Sequence, residues 1–258
     1  MSNSKEKFIA IIPARYASTR FEGKPLVDIF GQTMIERVYR RSLQSFNYVV
    51  VATDDMRIYD CIKGFGGEVV MTSADHKSGT DRCAEALKMS EELFDEQFDV
   101  VVNVQGDEPF VASEQLESLK ECFSDSRCDI ATLVKPFSKG EDIFNPNSPK
   151  VVLSTDGFAI YFSRSPIPFL RGKEKSEWMT NHTYFKHLGL YGYRKEVLFA
   201  VTSLDQGVLE KAESLEQLRW LENGYKIKCG VTYSESYAID TPEDLEKVLA
   251  VMNNNYKL

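Results

Sequence analysis

Four compact apolar runs, Phe8 to Ile12, Tyr48 to Ala52, Glu68 to Met71 and Phe98 to Val104, are separated by stretches with helical spacing. A strand that is apolar at successive positions is buried on both faces, and that burial is typical of parallel sheets covered by crossover helices. The intervening patterns supply such helices. Met34, Ile35, Val38 and Ser42 begin one, Asp55 to Phe65 form a second that ends in Gly64 and Gly66, and Thr80 to Leu93 form a third with Ala84, Leu87 and Leu93 apolar. The alternation predicts an α/β fold, a mostly parallel sheet flanked by helices with right-handed crossovers. At 258 residues the chain reads as a single α/β domain over 1–258, long enough to bury about 70 to 75% of its unfolded surface.

The pattern changes after about residue 143. Phe144-Asn-Pro-Asn-Ser-Pro149 is a turn-rich break, and Ser163 to Lys186 mixes prolines, charges and aromatics without periodicity, so an insertion is expected at about 144–193. Order returns with a strand from Lys186 to Tyr193, and Ser214 with Gln217 three residues on reads as a capping box opening a helix to Glu222. Thr241, Pro242 and Asp244 suit the N-cap, N1 and N3 positions of a last helix whose apolar stripe is Leu245, Val248, Leu249 and Met252.

Charge and cysteine usage exclude several classes. A net charge of −8 argues against nucleic-acid binding, which needs a basic face to displace counterions. The first apolar run holds Pro13 and stops at Arg15, too short for a signal segment, and no stretch reaches the length of a membrane span. Five cysteines, odd in number and without a C-x-x-C pair, support neither a disulfide framework nor a structural zinc site, and point to a reducing cytoplasm.

Chemistry gathers where apolar runs end. Ile11-Ile-Pro-Ala-Arg15-Tyr-Ala-Ser-Thr-Arg20-Phe-Glu-Gly-Lys24-Pro-Leu26 leaves a buried strand and places three cations and two hydroxyls in one loop. Ligands of open α/β sheets bind beyond the carboxyl ends of strands, so this loop can cradle a triphosphate, although a solvated basic loop has the same composition. It is not a Walker A sequence, because Gly23-Lys24 is followed by Pro25. A second run of valines ends in Gln105-Gly-Asp107-Glu-Pro109. Hard carboxylate oxygens at a strand tip suit Mg²⁺; a turn stabilised by Asp and Pro is the alternative. Asp240, just before the last helix, is either a further metal ligand or a helix-dipole partner. In Lys186-His187-Leu-Gly-Leu-Tyr191-Gly-Tyr193 the period of two puts His187, Gly189, Tyr191 and Tyr193 on one face, with room for a ligand or for a half-buried histidine and two tyrosines.

Taken in order, Ile12-Pro-Ala-Arg15, Ser18-Thr-Arg20, Gly23-Lys24-Pro-Leu26, Ala74-Asp-His-Lys-Ser-Gly-Thr80-Asp-Arg82, Asn103-Val-Gln105-Gly-Asp107-Glu-Pro109, Phe162-Ser-Arg164, His187-Leu-Gly-Leu-Tyr191 and Ile239-Asp240-Thr-Pro-Glu-Asp-Leu245 resemble the 3-deoxy-manno-octulosonate cytidylyltransferases over nearly the whole chain. The resemblance implies a nucleotide-diphospho-sugar transferase-like fold, acting in the cytoplasm as a homodimer whose contact includes the insertion. It implies transfer of CMP from CTP to the eight-carbon sugar acid KDO for lipopolysaccharide biosynthesis, with release of pyrophosphate. It also implies Mg²⁺ on Asp107 and Asp240, and catalysis by these two with Lys24 and Arg15. Nucleotide contacts would come from Ala14, Arg15, Ser18, Arg20, Lys24, Ser78, Thr80, Arg82, Gln105 and Asp107. Sugar-acid contacts would come from Gln105, Arg164, His187, Tyr191, Glu216 and Gln217. One departure stands out: the family usually reads Leu-Pro where this chain has Phe21-Glu22, which brings a carboxylate near the expected triphosphate site.

Overall fold

A computed structural model describes residues 6–18, 20–235 and 237–255; Thr19, part of the motifs above, lies outside them. The chain divides into two compact units, the described residues of Met1–Leu116 with Glu235–Leu258, and Glu117–Ser234.

The first unit begins with β1 (Phe8–Ala14), a short hairpin of β2 (Asp28–Ile29) and β3 (Gln32–Thr33), and α1 (Met34–Ser42). It continues with β4 (Val49–Thr53), α2 (Met56–Gly64), β5 (Val69–Met71), α3 (Gly79–Phe94) and β6 (Val100–Asn103), and the division between the units falls within α4 (Ser113–Glu121). The second unit holds β7 (Ile130–Pro136), β8 (Lys150–Leu153), β9 (Ala159–Ser163), α5 (Trp178–Asn181), β10 (Phe185–Arg194), α6 (Lys195–Thr202), α7 (Val208–Glu213), α8 (Glu216–Glu222) and β11 (Ile227–Val231). The chain then returns to the first unit with α9 (Pro242–Asn255).

In the first unit the strands pair in the order β6, β1, β4, β5, all parallel. Ile9 to Ile12 in β1, Val50 to Ala52 in β4 and Val100 to Val102 in β6 are fully buried. Each valine or isoleucine among them contributes roughly 1.5–3 kcal/mol on leaving water. The helices start where side chains cap them: Thr33 accepts from the Glu36 amide, Asp55 from that of Arg57, and Ser78 and Asp81 form a complete capping box. The expected cap of the last helix is present as well, with Asp244 accepting from the Thr241 amide and Thr241 Oγ1 from the Asp244 amide. The parallel core with its covering helices is the α/β arrangement that the apolar runs predict.

The second unit is mixed. β7 pairs antiparallel with β10 and parallel with β11, while β8 pairs antiparallel with both β10 and β9. The helix expected from Ser214 starts instead at Glu216, with Leu215 at its N-cap and no side-chain cap bond. Ser214 has φ 50° and closes α7, so its side chain cannot take the extended N-cap position the capping box requires.

Candidate active site

The parallel register aligns Ile11 with Asn103, so the carboxyl ends of β1 and β6 lie side by side and their loops share one edge. Gly106 makes this possible, since a Cβ there would stand 2.9 Å from the Pro13 carbonyl oxygen. The result is a cleft of about 390 Å³ lined by Ala14, Arg15, Ser18, Arg20, Lys24, Gln105 and Asp107. Lys24 Nζ lies 2.8 Å from Asp107 Oδ2 and 3.3 Å from Asp240 Oδ1. Arg20 reaches Asp240 with both terminal nitrogens, at 3.0 and 3.2 Å. Two carboxylates and two cations thus converge, each sign cancelling the other. Asp240 is delivered by the segment entering α9, where the Ile239 amide donates to the Asp107 carbonyl at 3.0 Å.

The basic loop is held from outside the cleft. The Tyr16 ring is capped by the Arg57 guanidinium, 3.3 Å from its centroid, and Arg57 is in turn anchored on Asp55. On the other side Gly23, with φ 69°, donates to the Tyr16 carbonyl, and a Cβ there would sit 3.1 Å from the ring. Phe21 packs against the cluster of Ile29, Met34, Phe110, Ile239 and Val248, which ties the loop to α9. Glu22 is exposed and does not line the cleft, and its charge acts on Arg57. Tyr16, Arg57 and Asp55 carried no functional signal of their own in the sequence.

The remaining expected nucleotide residues, Ser78, Thr80 and Arg82, are not among those lining this cleft. Ser78 is spent on capping α3, and Thr80 is buried. Arg82 is fully buried and gives its terminal nitrogens to Thr72 Oγ1 at 2.5 Å and Asp54 Oδ2 at 2.7 Å, which braces the segment before α3. Asn103 is 2% exposed, and its Oδ1 has no hydrogen-bond partner among the described residues. A buried polar atom left unpaired costs about 1–3 kcal/mol, which a ligand donating to it would recover. Its signal was legible: one amide at the end of a run of valines.

In the second unit the expected face of β10 exists, for a reason the simple period does not contain. Leu188 pairs with Leu133 and Tyr191 with Thr132, so Gly189 and Leu190 bulge out of the ladder. A two-residue bulge preserves parity, and the His187 and Tyr191 rings remain neighbours at 5.3 Å. Trp220 of α8 meets the Tyr191 ring edge-on at 5.0 Å. His187 Nε2 lies 2.9 Å from Thr132 Oγ1, the ring stands 5.2 Å from Phe162, and burial pushes its pKa down to about 3. It is therefore a neutral hydrogen-bonding group at neutral pH, and burial likewise holds the Tyr191 hydroxyl protonated. Gln217 is 4% exposed and its Nε2 has no acceptor among the described residues. Glu216, beside it on α8, accepts from Arg219. Arg164 is engaged by carbonyls: Nε donates to Glu213, Nη1 to Pro146 and Nη2 to Ser214, at 2.6, 2.9 and 3.1 Å.

Comparison with known proteins agrees with this geometry. Residues 9–227 match the cytidylyltransferase family. A 3-deoxy-manno-octulosonate cytidylyltransferase of Parabacteroides distasonis is 58% identical over 96% of this chain and 99% of its own length. One of Bacteroides thetaiotaomicron is 56% identical over 96% of this chain and 99% of its own length. The solved structure of a CMP:2-keto-3-deoxy-manno-octonic acid synthetase complexed with CTP superposes with a TM-score of 0.86 at 41% identity, covering 96% of this chain and 99% of that one. A 4-diphosphocytidyl-2C-methyl-D-erythritol synthase from Anaerococcus prevotii shares the fold, with a TM-score of 0.59 at 13% identity, covering 96% of this chain and 99% of that one. The cleft with its paired carboxylates and the matches along nearly all of its length lead to one assignment: the chain belongs to the cytidylyltransferase family, among the 3-deoxy-manno-octulosonate cytidylyltransferases.

Proposed function

We propose that this protein transfers CMP from CTP to 3-deoxy-D-manno-octulosonate, giving CMP-KDO and pyrophosphate for lipopolysaccharide biosynthesis. The observation that carries the reading is the convergence of Asp107 and Asp240 on Lys24, beside a cleft lined by Arg15, Ser18 and Arg20. The carboxylate pair fits Mg²⁺, because its oxygens already face one cation and Mg²⁺ takes one or two carboxylates plus phosphate oxygens and water. When bound, the metal supplies positive charge at the reacting phosphoryl group. This chain's residues do the rest. Arg15, Arg20 and Lys24 bind phosphate oxygens, Lys24 exchanging its carboxylate partners for them, and hold the α-phosphorus in line between the sugar's anomeric hydroxyl and the departing pyrophosphate.

Arg164, His187, Tyr191, Glu216, Gln217 and Gln105 belong to the same proposal as sugar-acid contacts. The unpaired Gln217 Nε2 supports it, since a ligand hydroxyl or carboxylate would satisfy that donor. A homodimer using the stretch at about 144–193 is supported by the exposed Phe169 and Ile160. A cytoplasmic location is supported by five free thiols, and no described helix is long and apolar enough to cross a membrane. The test is to incubate pure protein with CTP and a panel of sugar acids, with Mg²⁺ or with chelator, and measure pyrophosphate. Release is expected with the eight-carbon sugar acid and metal only. Equal release with every sugar acid, or none with any, overturns the reading.

A further inference from the structure

α1 carries Arg37, Arg40 and Arg41 on one face, spaced as neighbours, and Gln44 just beyond its end continues that spacing. With Gln32 they line a separate hollow of about 210 Å³, which shares no residue with the cleft at the strand tips. Two of the three guanidinium groups are fixed in place. Arg37 Nε donates to the Ile29 carbonyl at 2.6 Å, and its guanidinium stands 5.5 and 5.8 Å from the Phe30 and Phe110 rings. Arg40 Nε lies 2.8 Å from Glu36 Oε1, and its guanidinium stands 5.5 Å from the Phe65 ring. The Arg41 guanidinium has no hydrogen-bond or ion-pair partner among the described residues.

Basic residues in a last helical turn complement the dipole, but that effect needs neither a concavity nor three arginines. The helix end offers roughly half a negative charge and Glu36 one more, so the hollow keeps an excess of more than one positive charge in a chain whose net charge is −8. Holding a long arginine still costs up to about 2 kcal/mol of rotamer entropy, and here the aromatic and carbonyl anchors have met that cost for two of them before any ligand arrives. Guanidinium forks match paired oxygens on phosphorus, and the glutamine amides add neutral donors. The geometry points to a second oxyanion site on α1 that takes a compact ligand of the inorganic phosphate and pyrophosphate class, the class to which the product of the proposed reaction belongs.

The test is calorimetric titration of inorganic pyrophosphate, inorganic phosphate and CTP into the full chain at 0.15 M salt, where screening suppresses diffuse attraction. Wild type is expected to bind pyrophosphate at a second site per chain, with phosphate weaker at the same place. Arg41→Gln should weaken that site at least about threefold and the Arg40→Gln/Arg41→Gln double variant at least about tenfold, both keeping kcat. If the double variant fails to fold by circular dichroism, Arg41→Gln decides alone, since its guanidinium supports no described contact. Absence of a second site in wild type, a second site that takes CTP only, or one unchanged in these variants overturns the proposal. Failure of the active-site reading would show instead as lost turnover with this site intact.

Discussion

The cleft of the first unit and the β10 face of the second solve opposite problems. Around Lys24 the protein gathers full charges, two of each sign, and leaves them partly open to water. Around His187 it gathers aromatic rings and hydroxyls, and burial removes charge: the histidine is neutral and the tyrosine stays protonated. The first arrangement can trade partners with an anionic ligand at little cost, because each ion it frees is met by another. The second selects by shape and by hydrogen bonds that have no alternative, where a missing partner costs about 1–3 kcal/mol.

The sharpest way to break this contrast is at the carboxylates. Asp107→Asn and Asp240→Asn should each keep the fold and lose on the order of 10²-fold or more in turnover, measured as pyrophosphate release. Activity within twofold of wild type in either would remove the metal role. Lys24→Ala should raise the KM for CTP by about tenfold and that for the sugar acid much less, as expected for a charged contact to phosphate; a rise confined to the sugar would mean the loop faces the other substrate.

In the second unit the expected losses are smaller and fall on stability as well as activity. Arg164→Lys keeps the charge but cannot hold three carbonyls at once, so it should lower the urea unfolding free energy by roughly 1–3 kcal/mol. Undiminished stability would release the guanidinium from its structural duty and strengthen its assignment to the sugar carboxylate. His187→Gln gives the smallest effect at neutral pH, together with a pH dependence whose sign can be checked. With a folded pKa near 3 against an ordinary 6.5, the unfolded chain binds the proton first, so wild-type stability falls as pH drops from about 6.5 towards 3. The variant should lose less stability over that interval, by up to about 1 kcal/mol per pH unit. Parallel pH curves for the two proteins would mean that the ring is solvated.

The parallel core and the loops of the candidate site were legible because their signals are local. Unbroken runs such as Val49–Ala52 demand burial on both faces, and loops at their carboxyl ends have few other places to go. The pairing of Lys24 with Asp107 and Asp240 was half legible: the residue types named themselves, but an ion pair between positions so far apart in the chain exists only once β1 and β6 align. The second unit was harder to read. β7 and β11 were not foreseen, and its extent from Glu117 to Ser234 exceeds the expected insertion at 144–193. Mixed sheets give no common period, and Ser214 shows how a residue suited to one cap can serve another role when its backbone turns left-handed. The brace of Arg82 on Asp54 and Thr72 was illegible, since partners 28 and 10 residues away in the chain meet it only in the fold.

The bulge at Gly189 and Leu190 has a consequence for how this strand can change length. Because its excess is an even number of residues, a variant that deletes both should re-form the ladder with His187 and Tyr191 still side by side. Deleting either one alone would turn the residues on one flank through the sheet, driving a ring against Phe123 and Leu119, where Gly192 now leaves no room for a side chain. Viable length variants at this point should therefore differ in steps of two, and a library of insertions and deletions here, screened for folded protein, would reveal that periodicity in survival without any assay of catalysis.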